Sequence, residues 1–167
     1  MTAGDRQPGE NARPTITPAT ERDADVLDVL AEAVGGDTTK TADVLARYRR
    51  DRAWQLLTAE LGGRCVGVAG YTVDDSEVTL LHIAVVPTDR RTGYGRALIS
   101  AVLARNQHCQ RVVAETDADA VGFYRALGFV VTLLGEKYAG IERFRVCLNV
   151  DVHETEHPGK GHADDRC

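Results

Sequence analysis

From Leu80 to Val86 the chain reads LLHIAVV, a run almost wholly apolar and β-branched, as expected of a strand covered on both faces. Pro87 ends the run, because proline donates nothing to a sheet ladder and restricts the residue before it. Beyond a polar turn, Tyr94, Ala97, Leu98, Ala101 and Val102 recur at helical spacing and form one apolar face. Upstream, Trp54 to Leu61 and Arg64 to Val73 are strand-like runs separated only by Gly62-Gly63, which predicts a two-residue hairpin. Asp74-Asp75-Ser76 turns the chain into the strand running from Glu77 to Val86. Three successive antiparallel strands therefore lead into the helix. Arg111 to Glu115 is a short strand after it, and strand–helix–strand favours parallel pairing. Asp119 to Leu127 is a further helix, with Val121, Tyr124 and Leu127 inward and Gly128 as its C-cap. Phe129 to Leu134 and Glu142 to Val150 are the last two strands, joined by a loop around Gly135 to Gly140.

Ahead of these elements, Arg13 to Thr17 is a short strand bracketed by Pro14 and Pro18, and hence at a sheet edge. Thr20-x-x-Asp23 has the form of a capping box opening a helix. That helix buries Leu27, Leu30 and Val34 and stops at Gly35-Gly36. A second helix, Thr39 to Arg52, turns Val44, Leu45 and Tyr48 inward and leaves Arg47, Arg49, Arg50 and Arg52 as a solvated face. Residues 1–12 read as a flexible polar arm and residues 151–167 as a disordered polar tail. Between them, 13–150 suits one domain with a real core. The fold class expected is α/β: a mixed, mostly antiparallel sheet of six or seven strands flanked by about four helices.

Composition narrows the function. No apolar run approaches the roughly 18 residues of a membrane span, so no membrane partner is expected. The polar N-terminus lacks a signal-peptide core, which makes cytoplasmic placement the expectation. The four cysteines form no C-x-x-C pair. Cys65 and Cys147 lie in apolar strands as buried thiols. His153, His157 and His162 sit in the polar tail without the grouping a metal site needs, so no metal is expected. A net charge of −5 speaks against nucleic acid as a partner. It suits a neutral or cationic amine better than an acidic substrate.

The turn itself reads Arg90-Arg91-Thr92-Gly93-Tyr94-Gly95-Arg96. The first amides of a helix lack internal partners, and the helix dipole adds positive charge there. Gly93 and Gly95 carry no Cβ to hold a ligand off the backbone. Arg90, Arg91 and Arg96 supply charge-assisted hydrogen bonds. A pyrophosphate is the anion this suits best.

With an apolar strand before it, Arg90-x-x-Gly93-x-Gly95 resembles the acyl-CoA signature of the GNAT family of N-acetyltransferases. The segment Ala120 to Phe129, AVGFYRALGF, resembles that family's second signature, a short helix followed by Gly-Phe entering a strand. The resemblance spans about Arg13 to Val150. It implies a sheet splayed between the Leu80–Val86 and Arg111 strands, with acetyl-CoA as co-substrate and a primary amine as the acceptor that attacks the thioester directly. It implies that Tyr124 is the general acid and that the backbone of Ile83, Ala84 and Val85 pairs with pantetheine. Arg90, Arg91, Thr92, Gly93, Tyr94, Gly95 and Arg96 would hold the pyrophosphate, and a homodimer is possible. Asp117 stands where relatives often have an asparagine on the pantetheine arm, and it lacks the amide donors. The positions where relatives carry a base are Thr79 and Leu81 here, which accept no proton. His82 is adjacent, but strand alternation points it to the opposite face. Glu77, Glu115 and ordered water are the other candidates. The rival class is a non-catalytic acyl-CoA-binding module on the same fold. An RNA-directed acetylating toxin fits the acidic balance poorly.

Overall fold

The computed structural model describes residues 12–20 and 25–150. All of the expected arm but Ala12, the tail with its histidines and Cys167, and Asp23 of the capping box lie outside the described residues. The elements in chain order are β1 (Thr15–Pro18), α1 (Val26–Val34), α2 (Thr38–Arg50), β2 (Gln55–Leu61), β3 (Arg64–Asp74), β4 (Glu77–Val85), α3 (Tyr94–Arg105), β5 (Arg111–Asp117), α4 (Ala118–Ala126), β6 (Val130–Tyr138) and β7 (Ile141–Asn149), with one 3₁₀ turn, Pro87–Asp89, between β4 and α3. The strands form a single seven-stranded sheet in the order β1-β2-β3-β4-β5-β7-β6. Every neighbouring pair is antiparallel except β4–β5. This is the mixed, mostly antiparallel α/β architecture expected from the sequence.

One sheet face is covered by α3 and α4, which close a core around Leu57, Tyr71, Val78, Leu80, Leu98, Val112 and Val146. The other is covered over β2, β3 and β4 by α1 and α2, around Val29, Leu30, Leu45, Leu56 and Val68. Glycines do the turning where a side chain would be strained. Gly62 and Gly63 both have positive φ (59° and 77°), the requirement of the tightest hairpin turn. At the end of α4, Gly128 (φ 88°) donates to the Arg125 carbonyl and Phe129 to that of Tyr124. This Schellman closure leaves Leu127 as the last half-helical residue and Gly128 just beyond it.

Three expectations need correction. Helix α1 begins at Val26 after Asp25, whose side chain makes no capping bond. The buried stripe is thus Val26, Val29 and Leu30; Val34 is half-buried and Leu27 is 37% exposed. The expected loop at 135–140 is largely strand. β6 runs on to Tyr138 and meets β7 at a tight turn, with Gly135 (φ 96°) absorbed in a register shift. Lastly, β4 does not alternate throughout. Tyr71 pairs with Leu80 and Gly70 with His82, leaving Leu81 as a bulge. Val78 and Leu80 face the α3/α4 core, and so, beyond the bulge, do Ile83 and Val85. His82 and Ala84 therefore face α1 and α2, the side that Thr79 faces, and not the opposite one.

Candidate functional site

The parallel pairing of β4 with β5 runs only from Glu77↔Arg111 to Leu80↔Ala114. Past that point β4 continues to Val85 held only by β3, while β5 continues to Asp117 held only by β7. The strands part because β5 follows β7 and the bulged half of β4 follows β3. What results is a V-shaped slot in the middle of the sheet. Its β4 wall is the backbone of Leu81 to Val85, with main-chain groups that β5 does not satisfy. Ile83, Ala84 and Val85 all lie on this wall.

At the open end of the slot the 3₁₀ turn leads into the basic loop. Arg91 (φ 63°) and Gly93 (φ 89°) take left-handed conformations, so successive amides turn toward one concavity. None of the main-chain amides from Arg91 to Arg96 donates to a described acceptor. A Cβ at Gly93 would meet nothing within 4 Å. Beside this loop lies a cavity of about 410 Å³, lined by Ala12, Arg13, Pro14, Thr92, Gly93, Tyr94 and Ala97. The loop is braced from below, since Thr92 Oγ1 donates to the Asp89 carbonyl (2.5 Å) and the Tyr94 hydroxyl to that of Ala12 (3.1 Å).

Two arginines of the loop have partners within the chain. Arg90 donates through Nε to the Val85 carbonyl (3.1 Å) and pairs with Glu32 at the end of α1 (2.8 Å). Arg96 donates to the Ala126 carbonyl of α4 (3.1 Å). Gly95 is close-packed: a Cβ there would lie 2.8 Å from the Phe123 ring. Its missing side chain makes room for Phe123, and so brings the start of α3 against α4. Arg91 alone among the three arginines has no ion-pair or hydrogen-bond partner among the described residues.

Helix α4 carries Tyr124. Asp117, the last residue of β5, caps this helix by accepting from the Ala120 amide (3.3 Å). The Tyr124 ring is 4% exposed and is gripped edge-on by Phe123 (5.1 Å) and Phe129 (5.2 Å). Its hydroxyl meets no described hydrogen-bond partner, yet it is not sealed from solvent. Burial, reinforced by the Asp117 carboxylate, pushes the phenol up to about 12. It is thus a protonated donor at any physiological pH.

A second cluster sits on the α1/α2 face of the same slot. His82 Nδ1 is 2.8 Å from the Tyr48 hydroxyl. The two rings meet edge-on, and Trp54 lies 6.4 Å from the imidazole and 5.2 Å from Tyr48. Arg47 stacks over Trp54 at 4.1 Å. Gly70, opposite His82, makes this possible, because any Cβ there would collide with the Tyr48 hydroxyl. Burial, with the positive field of Lys40 added, lowers the His82 pKa. Burial also raises Tyr48 well above the usual phenol range. Nothing in the sequence marks Tyr48, Trp54 or Phe123 as site residues; only Gly70 gives a local signal, since a glycine inside a strand marks close approach of something. Of the other base candidates, Glu77 is ion-paired with Arg111 at the far end of β4 (2.5 Å), and Glu115 is an exposed residue of β5. A separate cavity of about 320 Å³, walled by Tyr48, Trp54, Tyr71, Arg49 and Arg105, opens toward the opposite end of α3 from the loop.

Among the described residues there is no cluster of three or more His, Cys, Asp or Glu that could hold a metal ion, and no helix long and apolar enough to cross a membrane. Cys65 is buried as expected, whereas Cys147, also expected to be buried, is only half-buried; Cys109 is buried, and burial raises its thiol pKa.

Comparison with known proteins agrees with this geometry. The model of the acetyltransferase (GNAT) family matches residues 25–129. The UPF0157 protein YqkA of Bacillus subtilis (strain 168) is 29% identical over 93 residues, 54% of this chain; the match spans about a quarter, 26%, of that protein's length. Among solved structures, the ribosomal-protein-S18-alanine N-acetyltransferase from Escherichia coli superposes with a TM-score of 0.69 at 20% identity, covering 86% of this chain and 98% of that one. Ard1 from Thermoplasma volcanium gives 0.69 at 24% identity, over 83% and 99%. A GNAT family acetyltransferase from Elizabethkingia anophelis, solved with acetyl-CoA bound, gives 0.64 at 20%, over 83% and 99%. At these identities the shared property is the fold. The family match, by contrast, runs through both signature segments and every wall of the slot, and the chain belongs to the GNAT family of acetyltransferases.

Proposed function

We propose that this chain transfers an acetyl group from acetyl-CoA to a primary amine. What supports the reading is β4 backbone that β5 leaves unpaired, loop amides without partners at the start of α3, and, on the helix packed against that start through Gly95 and Phe123, a protonated phenol. The amides of Arg91 to Arg96, with the Arg91 guanidinium, suit the diphosphate. The edge of Ile83 to Val85 that β5 leaves unpaired, apart from the Val85 carbonyl held by Arg90, suits the amide groups of pantetheine, since backbone groups in a slot need partners. A main-chain amide of this edge polarises the thioester carbonyl as negative charge develops on its oxygen.

The amine nitrogen forms a bond to the carbonyl carbon, the C–S bond breaks, and Tyr124 gives its proton to the departing thiolate. The proton the attacking nitrogen must shed restores the phenol. Direct attack needs no cysteine nucleophile.

The test is release of free thiol from acetyl-CoA in the presence of an amine panel. Tyr124→Phe keeps the packing against Phe123 and Phe129 but lacks the proton. Its turnover should fall by about 100-fold or more, the range of a lost general acid, with acetyl-CoA affinity retained. An unchanged rate removes Tyr124 as the acid. A non-catalytic acyl-CoA-binding module draws support from Thr79 and Leu81, which offer no base. Tight acetyl-CoA binding with no thiol released for any amine favours that reading instead.

A further inference from the structure

We propose that His82 is the base that takes the proton from the acceptor ammonium, and that Tyr48 is the positioning residue that orients its ring. The inference rests on the acetyl-transfer reading above and assigns the role that Thr79 and Leu81 leave open.

Position is the first argument. His82 follows the last β4–β5 pair, Leu80↔Ala114, by only two residues, so it stands where the slot opens. The bulge at Leu81 turns it to the α1/α2 face, away from the core that holds Tyr124. An acid and a base on opposite faces of one slot flank whatever lies between them. A thioester in the slot would have the leaving sulfur on one side and the incoming nitrogen on the other.

Orientation is the second argument. The Tyr48 oxygen occupies the space that Gly70 leaves vacant and contacts Nδ1. Nε2 meets no described hydrogen-bond partner and is not sealed from solvent. With Nδ1–H donating to the Tyr48 oxygen, Nε2 carries a lone pair, and the ring is a proton acceptor at a fixed angle. Once Nε2 is protonated the same bond persists, now donated by an imidazolium and stronger for it.

The surroundings favour a neutral ring at rest. From α2, Lys40 adds positive field and Tyr48 is the titratable group in contact. From β3 the residue opposite is Gly70, which brings no charge. Arg47 is drawn onto Trp54, and Glu32 of α1 is paired with Arg90. No described carboxylate pairs with the ring to convert it to a permanent imidazolium. The balance is simple: an ammonium gives one proton to Nε2 and becomes a neutral amine, and the imidazolium returns that proton to solvent after transfer.

Two measurements on the full chain test this. Histidine-ring nitrogen NMR, with His82 assigned by difference from His82→Gln, reads the tautomer directly. The wild type should carry the hydrogen on Nδ1, and Tyr48→Phe should lower the titration midpoint, since it removes the acceptor that stabilises the imidazolium. A wild-type ring with hydrogen on Nε2, or a midpoint indifferent to Tyr48→Phe, overturns the assignment. In turnover, His82→Gln should lower kcat/KM near neutrality by about 100-fold, the scale of a lost general base, and replace the acidic limb by one that follows ionisation of the acceptor amine. The loss should fade above the pKa of the acceptor amine, and calorimetric affinity for acetyl-CoA should stay within about twofold of wild type. Tyr48→Phe should shift the acidic limb to lower pH. A His82→Gln enzyme with the wild-type rate and limb sinks the base role alone. A wild type that acetylates no amine sinks the transfer reading, and the base with it.

Discussion

Gly70→Ala is the substitution by which the second cluster can be weighed most directly. Ordinarily glycine to alanine in a strand is helpful, because the unfolded chain loses freedom, and the gain is about 0.5–1 kcal/mol. Gly70 has no left-handed φ that would forbid the change. Here, however, the new Cβ falls on the Tyr48 hydroxyl and on the ring carbon bearing it. Tyr48 cannot slide along its own helix, and its ring is edge-on to Trp54 at 5.2 Å. The added methyl should cost about 1–3 kcal/mol as overpacking. Breaking the Tyr48–His82 hydrogen bond adds about 0.5–1.5 kcal/mol. Against the entropic gain, the net loss should be about 1–3 kcal/mol, read as a lower denaturation midpoint at unchanged slope.

A double-mutant cycle separates this cause from any other. Tyr48→Ala alone loses packing with Trp54 and the contact with His82, but it also clears the space above Gly70. In Tyr48→Ala/Gly70→Ala the collision is gone and only the entropic gain remains. The second substitution should therefore stabilise the Tyr48→Ala chain while destabilising the wild type, a coupling of at least about 1 kcal/mol. Additive effects, or a wild type that tolerates Gly70→Ala without loss, refute the packing described and with it the orientation of His82.

Four other outcomes follow. Gly93→Val forces a β-branched residue into φ 89° although no atom crowds it, so it should lose about 1–2 kcal/mol of stability and weaken acetyl-CoA at least tenfold by calorimetry. Arg91→Ala should weaken acetyl-CoA with a reduced salt dependence, whereas Arg90→Ala, whose guanidinium is spent on Val85 and Glu32, should weaken it less; the reverse order counts against the loop geometry. Gly95→Val should push Phe123 off α3, seen as a shifted aromatic near-UV spectrum, and Phe123→Ala in the same chain should restore stability. Finally, burial of Tyr124 makes alkaline stability depend on it. Below the unfolded value of 10.0 both states hold the proton and its contribution is complete; between there and about 12 the unfolded chain ionises first and stability is lost. Tyr124→Phe should show a shallower fall in Tm over that window.

How much of this could be read from the chain depends on what each feature requires. The elements were legible because burial imposes a period, and the Gly62-Gly63 and Gly128 turns because a positive φ selects glycine. The bulge at Leu81 was not, since alternation in LLHIAVV looks the same with or without an extra residue when both faces are covered. His82 was placed on the wrong face for that reason alone. The end of α1 was legible in Gly35 (φ 86°), whereas its start was not. Asp25 makes no side-chain cap, so nothing local fixed the phase, and Leu27 was read as buried. The 135–140 stretch looks like loop in sequence because its two glycines suggest turns, although only Gly140 sits at one.

The residues of the loop signature divide in a way that its spacing conceals. Gly95 yields its space to Phe123, Arg96 ties α3 to the Ala126 carbonyl, and Arg90 ties the end of β4 to α1. Each fixes one wall of the slot against another. Main-chain amides, the Gly93 conformation and Arg91 are the parts of the loop without such a tie. A motif of this kind is recognisable because several independent packing demands coincide in seven residues, more than because a ligand is contacted by all of them. It follows that a substitution such as Arg96→Met should act through the α3–α4 angle. It should lower turnover through the placement of Tyr124 while acetyl-CoA affinity changes little. The opposite split, intact turnover with lost affinity, would return Arg96 to the anion and show that the Ala126 contact is incidental.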